Sequence, residues 1–240
     1  WTRNATPILD RLDELNDRGY LYYFLYTLTP YEKPLENFPV PFEQRLSAFK
    51  ALSKAICPET VIWRYDPIVL SNRTDLEFHR EQFAHLCGEL EGHTSRCITS
   101  FVTLYSKTRR RLGALEPQGL VVDAEQAESR NAKELVCFMK ERADSSGIEL
   151  QSCAQTEPFN SCGIPQGKCV DDELLRKLFD LSIQPPRHKG QRNNCRCAFS
   201  RDIGTNNTCP GGCSYCYSTA SFEKACARYK SHDPAAPRLA

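Results

Sequence analysis

Long apolar runs are missing from this chain. None approaches the roughly 18 residues that cross a bilayer, so no membrane partner is expected. Charge of one sign is missing too: 31 basic residues face 30 acidic ones, leaving a formal net charge of +1. That balance excludes bulk attraction to nucleic acid or to an acidic membrane surface, although a local basic patch can still act. There is no close internal repeat and no long low-complexity tract. Histidine is scarce, with five in all and no His-x-x-x-His pair, so His79, His85 and His93 are assigned no metal role. No signal-peptide pattern opens the chain. Trp1-Thr2-Arg3-Asn4 reads as the end of a strand, so that absence excludes little and upstream sequence is expected.

What is there suits one large domain, or a domain with a small appendage: 240 residues, 40% hydrophobic and 25% charged. Cysteine is the anomaly. Thirteen of them, an odd number at close spacing, argue against a secreted disulfide scaffold. In a reducing cytoplasm, the expected location, such a pattern points to metal.

Through residue 184 the chain alternates strand-like and helix-like segments. Thr6-Pro7 opens a helix lined by Leu9, Leu12 and Leu15 and closed by Gly19. Buried strands are expected over Tyr20 to Thr29, Thr60 to Tyr65 (stopped by Asp66-Pro67), Cys97 to Tyr105 and Ile148 to Cys153. Between them, Phe42, Leu46, Phe49, Leu52 and Ile56 recur at helical spacing, as do Ala132, Leu135, Val136, Met139 and Ala143. Thr74-Asp75-Leu76-Glu77 reads as a capping box for a helix burying Leu76, Phe83, Leu86 and Leu90, and Asp171 opens a short helix through Phe179. Strands each followed by a helix make an α/β protein of stacked βαβ units with a parallel sheet, here a partial (β/α) TIM-like barrel over residues 1–184. Gln184 to Asn194 is a polar linker, and residues 185–240 form a cysteine-rich segment whose tail from Ser231 is expected to fray.

The chemistry concentrates in that segment. Cys209, Cys213 and Cys216 stand in a C-x3-C-x2-C arrangement that can wrap three thiolates around one corner of a 4Fe-4S cube, leaving one iron open for chemistry. Gly211 and Gly212 allow a tight turn with amides close to the sulfurs. Structural zinc, completed by Cys195 or Cys197, is the competing reading. Cys153, Cys162, Cys169, Cys195 and Cys197 are left over. Cys57, Cys87, Cys137 and Cys226 fall in helical stretches and read as core or surface residues.

With Tyr215 before the last cysteine, the motif resembles that of radical S-adenosylmethionine enzymes. The resemblance implies reductive cleavage of S-adenosylmethionine at the open iron, Tyr215 near the adenine, and an electron donor such as a ferredoxin or flavodoxin. Such enzymes carry the motif after their first strand, whereas here 24 residues follow Cys216, and no Gly-Gly-Glu-like stretch is present. A wider resemblance runs along nearly the whole chain: Tyr26 to Thr29, Trp63 to Ile68, Ser100-Phe101, Gln191-Arg192, Cys195-x-Cys197, Ser200 to Gly204 and Thr208 to Tyr217. These segments resemble the bacterial family catalogued as domain of unknown function 1848, itself likened to spore photoproduct lyase and DNA repair photolyases. The chain departs from that pattern at Asn206 and Gly211. The resemblance also implies a second metal set, Cys153, Cys169, Cys195 and Cys197, for an auxiliary cluster or zinc; partly buried free thiols are the alternative.

Arg64 and Asp66 lie two apart at the end of a strand and so share a face, at the end of a β/α barrel where active sites form. They are candidates to bind substrate or the cofactor's carboxylate and amine, or else form an ion pair supporting the turn at Pro67. Thr27, Thr29 and Ser100, at other strand ends, read the same way. Lys107, Arg109, Arg110 and Arg111 form a basic run that could grip nucleic-acid phosphates or simply face solvent. Three functions follow: a radical S-adenosylmethionine enzyme, a non-catalytic metal module, or a nucleic-acid-binding repair factor.

Overall fold

The computed structural model describes residues 1–187, 191–233 and 235–236, with Glu128 described by its backbone alone. Residues 188–190 of the expected linker, and residues 234 and 237–240 of the expected tail, lie outside the described residues.

Four parallel strands, β1 (Phe24–Thr27), β2 (Val61–Ile68), β3 (Arg96–Phe101) and β4 (Glu149–Ser152), hydrogen-bond in strict chain order. Single parallel bridges continue the ladder at both edges, Thr2 against Tyr26 and Gln166 against Ser152. The sheet is open: the α/β expectation holds, and no closed barrel is formed. Because the order never reverses, right-handed crossovers put their helices on one face. There α3 (Phe42–Ile56), α4 (Leu76–Leu90) and α6 (Arg130–Ser145) bury Phe49, Leu52, Phe83, Leu86, Leu135, Val136 and Met139 against Tyr26, Trp63, Tyr65, Cys97 and Leu150. The helix built on Ala132, Leu135, Val136, Met139 and Ala143 has all five fully buried, each large one contributing about 1.5–3 kcal/mol. Trp63 stacks on Phe83 at 5.0 Å, and its indole N–H donates to the Leu28 carbonyl at 3.0 Å.

The opposite face is lined row by row, since paired residues of parallel strands point the same way. One row is Leu25, Ile62, Arg96 and Glu149; the next is Thr27, Arg64, Ile98 and Gln151. This face carries little of its own helical cover. Leu174 and Leu178 of α7 (Asp172–Phe179) pack on it beside Tyr23, Cys153 and Cys169.

Several local expectations need correction. The helix expected from Thr6 to Gly19 is two, α1 (Thr6–Leu9) and α2 (Leu12–Asp17), because Arg11 leaves helical geometry at φ −121°. β2 does not stop at Asp66-Pro67 but runs on to Ile68; a register shift against β3 between Tyr65 and Ile68 absorbs the proline's missing N–H. The expected capping box is a simpler cap: Asp75 accepts from the Phe78 N–H at 2.9 Å, while the Thr74 hydroxyl donates to the Val69 carbonyl at 2.6 Å. Leu76 is only half-buried. The basic run is no loop; it forms α5 (Ser106–Gly113). Cys137 and Cys162 are joined by a disulfide, tying α6 to the turn after β4. The Asp171 cap stands, its carboxylate accepting from the Glu173 and Leu174 N–H groups. The helical stretch expected around Cys226 is α8 (Phe222–Ser231), the last helix of the described residues.

His79 of α4 is fully buried, with Nδ1 on the Tyr65 hydroxyl at 2.8 Å and Nε2 on the Val69 carbonyl at 3.2 Å. Burial pulls its imidazole down to about 4, against the Val69 carbonyl, which favours the proton. Unfolded chains take up that proton near pH 6.5, so the stability contributed by neutral His79 is complete above 6.5 and is lost as pH falls towards 4. Thermal unfolding from pH 7 to 4 should show wild type losing up to about 3 kcal/mol more than His79→Gln. Parallel losses would rule the imidazole out as the cause.

Candidate metal and cofactor site

Two sets of cysteines reach the C-terminal end of the parallel strands, where ligands of α/β sheets bind. They arrive by different routes.

The first set is the loop of Cys209, Cys213 and Cys216. Although nearly last in sequence, it rests against residues that follow the strands: Cys213 and Tyr215 are buried with Tyr31, Val69 and Leu112, and Cys216, Val102 and Leu104 pack against that cluster. The fastening is polar and buried. The Tyr215 hydroxyl donates to Glu36 Oε2 at 2.7 Å and accepts from Arg3 Nη2 at 2.7 Å. Glu36 also pairs with Arg3 and, at 3.1 Å, with Arg45, and accepts from the Thr29 hydroxyl at 2.8 Å. Arg3 reaches the Cys213 sulfur at 3.6 Å. On the backbone, the Ser214 N–H donates to the Leu35 carbonyl at 2.9 Å and the Ser214 hydroxyl to the Pro34 carbonyl at 2.9 Å.

From the far side, Arg111 of α5 donates to the carbonyls of Cys216, Thr219 and Ala220 at 2.7, 2.6 and 3.0 Å, its guanidinium lying 4.2 Å from the Phe222 ring. One member of the basic run is therefore committed to holding the cysteine loop, while Lys107, Arg109 and Arg110 are exposed. Gly211 is needed where it stands: a Cβ there would come within 2.8 Å of the Phe38 ring and 3.2 Å of the Cys209 sulfur. The chain's departure from the family pattern at this position thus leaves Phe38 the space a side chain would fill. Cys209 is exposed, Cys216 half-buried, and all three thiols are free of disulfides. Burial pushes the Cys213 thiol up to about 11, with Arg3 opposing and Glu36, Cys216 and Cys209 adding to the rise.

The second set gathers on the sheet face that carries Arg64. Cys153 follows β4 directly, and Cys169 precedes the α7 cap; their sulfurs are 3.8 Å apart. Cys197 comes in from the last segment, where the Ala198 N–H donates to the Val170 carbonyl at 3.0 Å. Its sulfur accepts from the Cys169 N–H at 3.2 Å and the Val170 N–H at 3.5 Å. Cys197 also interacts with the thiols of Cys169 and Cys195. Hydrogen bonding with Cys153 and Cys197, then burial, holds the Cys169 thiol well above its usual range. Donation from Cys169, helped by the Val170 and Cys169 N–H groups, pulls Cys197 down to about 5, and Cys153 is likewise lowered by Cys169.

Arg64 and Asp66 adjoin this row. They form an ion pair, Asp66 accepts from the Ser100 hydroxyl, and Arg64 Nη1 reaches the Cys169 sulfur at 3.3 Å. The Arg64 Nε is buried without a hydrogen-bond partner among the described residues. Arg192 Nη2 reaches the Cys153 sulfur at 3.3 Å. Tyr217, one residue beyond Cys216, packs its ring 5.8 Å from Tyr105. Its phenol is pushed up by partial desolvation, with Arg64 opposing and Asp66, Cys153 and Cys169 adding. The two cysteine sets are thus neighbours.

The structure brings Cys153, Cys169, Cys195 and Cys197 into one row and sets Arg64 and Asp66 against it. Thr29 serves the Glu36 network rather than an open site. Tyr215 is a buried anchor. Among the described residues, no three His, Cys, Asp or Glu side chains are arranged to hold a metal ion. Three free thiols on one glycine-bearing loop remain a donor set suited to an iron–sulfur cluster. Sequence reasoning missed Glu36, Arg3 and Arg45 and read Arg111 only as part of the basic run, because the loop residues they hold lie 105 to 212 positions from Arg111, Glu36 and Arg3.

Removing the Arg111 clasp should loosen the loop without unfolding the sheet. Arg111→Ala is expected to raise amide hydrogen exchange across residues 216–222 by at least about tenfold, the equivalent of 1.4 kcal/mol. Exchange in β2 and β3 should stay unchanged. Uniform acceleration everywhere would show that the clasp supports the whole fold instead.

No helix of the described residues is long and apolar enough to cross a membrane. Neither the curated proteins nor the solved structures contain a significant match to this chain. A family model does match, over residues 1–218, and on that span the chain belongs to the family described as domain of unknown function (DUF1848).

Proposed function

We propose that the chain is an iron–sulfur protein of the radical S-adenosylmethionine kind, with residues 1–184 as an open, singly wound (β/α) half-barrel and residues 185–240 as its cluster-binding segment. Cys209, Cys213 and Cys216 would hold the 4Fe-4S cluster. One observation carries the reading: the motif loop is fastened by Glu36, Arg3 and Arg111 to the strand ends while its three thiols stay free of disulfides. A loop needed only for packing has no use for three thiols at this spacing.

Bound there, the cluster would supply a one-electron reductant for the reductive cleavage of S-adenosylmethionine, with a ferredoxin- or flavodoxin-like protein as the electron donor. The chain's own residues supply the surroundings. Arg64, with an unpaired buried Nε, is the group for a carboxylate, and Asp66, steadied by Ser100, the group for an amine. Tyr105 and Tyr217 offer aromatic surface beside them. Gly211 and Gly212 keep the backbone close to the sulfurs. The substrate stays open, because Arg111 is already engaged by the loop and the net charge does not favour nucleic acid.

A second reading has its own observation. The Tyr215 hydroxyl is locked between Glu36 and Arg3, which suits a structural anchor better than a cofactor-lining ring. By that reading the metal is a non-catalytic staple.

Protein purified and reconstituted without oxygen should carry about four irons and four sulfides per chain, and Cys213→Ser should lose them. After reduction, the paramagnetic resonance signal should shift when S-adenosylmethionine is added. A signal indifferent to the cofactor would leave the staple, and an iron-free chain would remove both readings.

A further inference from the structure

On the helical side of the sheet, away from both cysteine sets, stands the disulfide between α6 and the turn after β4. We propose that Cys137–Cys162 is an exchange site for a small anionic thiol, and that opening it releases this turn.

Every other cysteine is free, so this pair is singled out by its position. Both members are half-buried, and Cys137 lines a hollow of about 700 Å³. That size falls in the range of small-molecule sites, about 300–1,000 Å³. A second hollow of about 480 Å³ reaches Ser161, next to Cys162, and shares Arg130 and Lys133 with the first.

Charge selects the thiol. Arg80, Arg130 and Lys133 line the larger hollow with two carboxylates, Glu134 and Glu141. Arg130 pairs with Glu134 at 3.1 Å, while Arg80 and Arg142 lie 5.2 and 5.5 Å from the Phe138 ring. Lys133 is exposed and has no ion pair among the described residues. The excess is positive. It favours a thiol that carries carboxylates, a peptide thiol of the glutathione kind, and steers it to the sulfurs.

The chemistry is thiol–disulfide exchange. A thiolate attacks the Cys137 sulfur, the disulfide bond breaks, and Cys162 leaves as a thiolate that takes a proton from solvent. The released thiol has an acceptor at hand, the Lys133 carbonyl 3.5 Å from its sulfur. A second small thiol then attacks the mixed disulfide. Cys137 is left reduced, the two small thiols leave joined to one another, and the protein has gained their two electrons.

The disulfide holds a turn with little else to fix it. Its backbone bonds are local: the Asn160 N–H donates to the Thr156 carbonyl at 2.8 Å, and the Ile164 N–H to the Phe159 carbonyl at 3.1 Å. Burial of Phe159 and Ile164 does the rest. The Phe159 ring lies 5.8 Å from that of Phe101, the last residue of β3, and the Gln155 side chain bonds both the Phe101 N–H and its carbonyl. Ser100, one residue earlier, holds Asp66. The sulfur chemistry behind the sheet is thereby linked to the strand ends.

The full chain purified without reductant should carry the Cys137–Cys162 disulfide, and free thiols at both positions would overturn the site. At equal thiolate concentration and low salt, glutathione should open it at least about tenfold faster than the cationic thiol cysteamine. That ratio should fall to about one in high salt, and in a variant combining Arg130→Gln with Lys133→Gln. Equal rates in wild type would remove the anionic ligand. In Cys162→Ser, peptide mapping after treatment with oxidised glutathione should find Cys137 capped; a bare Cys137 would remove the exchange step. Opening the disulfide should raise amide hydrogen exchange across residues 159–164 at least about tenfold and leave β2 unchanged. Unaltered exchange in the turn would show that the disulfide does not hold it.

Discussion

A single buried carboxylate holds this architecture together. Glu36 lies in the loop between β1 and α3, almost without solvent, and binds Arg3, Arg45, Thr29 and Tyr215. Each partner belongs to a different part of the chain, from its third residue to its cysteine loop. Charges taken out of water cost several kcal/mol unless paired and hydrogen-bonded, so the four contacts must form together. The Cys209–Cys216 loop is thereby located at the strand ends by electrostatics rather than by chain connectivity.

The sheet makes that location meaningful. Strands taken in order, with α3, α4 and α6 on one face, leave most of the other face for something else. In a closed barrel that face would be filled by side chains from opposite strands. Here it carries Arg64, Ile62 and Ile98, covered by α7 and the row of thiols. Polar groups gather where the strands end, because there the backbone ladder stops and side chains must satisfy what it leaves.

Thiol chemistry divides along the same line. Cys87 and Cys97 are core residues, their thiols pushed up by burial to about 12 and well above the usual range. Cys137 and Cys162 are spent on a disulfide. The two remaining sets meet near Tyr217, each with arginines reaching its sulfurs or carbonyls. Burial raises the Cys213 thiol as it raises Cys87 and Cys97, whereas the Cys169 thiol and backbone amides pull Cys197 down.

Much of this was legible in the amino-acid order. Hydrophobic spacing marked α3 and α6 and the core face of each, because a helix buries one stripe and the stripe is written locally. The four strands, their parallel pairing and the cap at Asp171 were legible for the same reason, as was the C-x3-C-x2-C motif, whose spacing is its own evidence. Tertiary structure alone decided the rest. It carried β2 through Pro67, split the first helix at Arg11, joined Cys137 to Cys162, and turned Arg111 and Tyr215 into fasteners of the cysteine loop. All but the split at Arg11 depend on a partner from 25 to 212 residues away or on a neighbouring strand's register. Periodicity reports which face a residue takes; which distant charge or sulfur meets it there is settled only when the chain closes on itself.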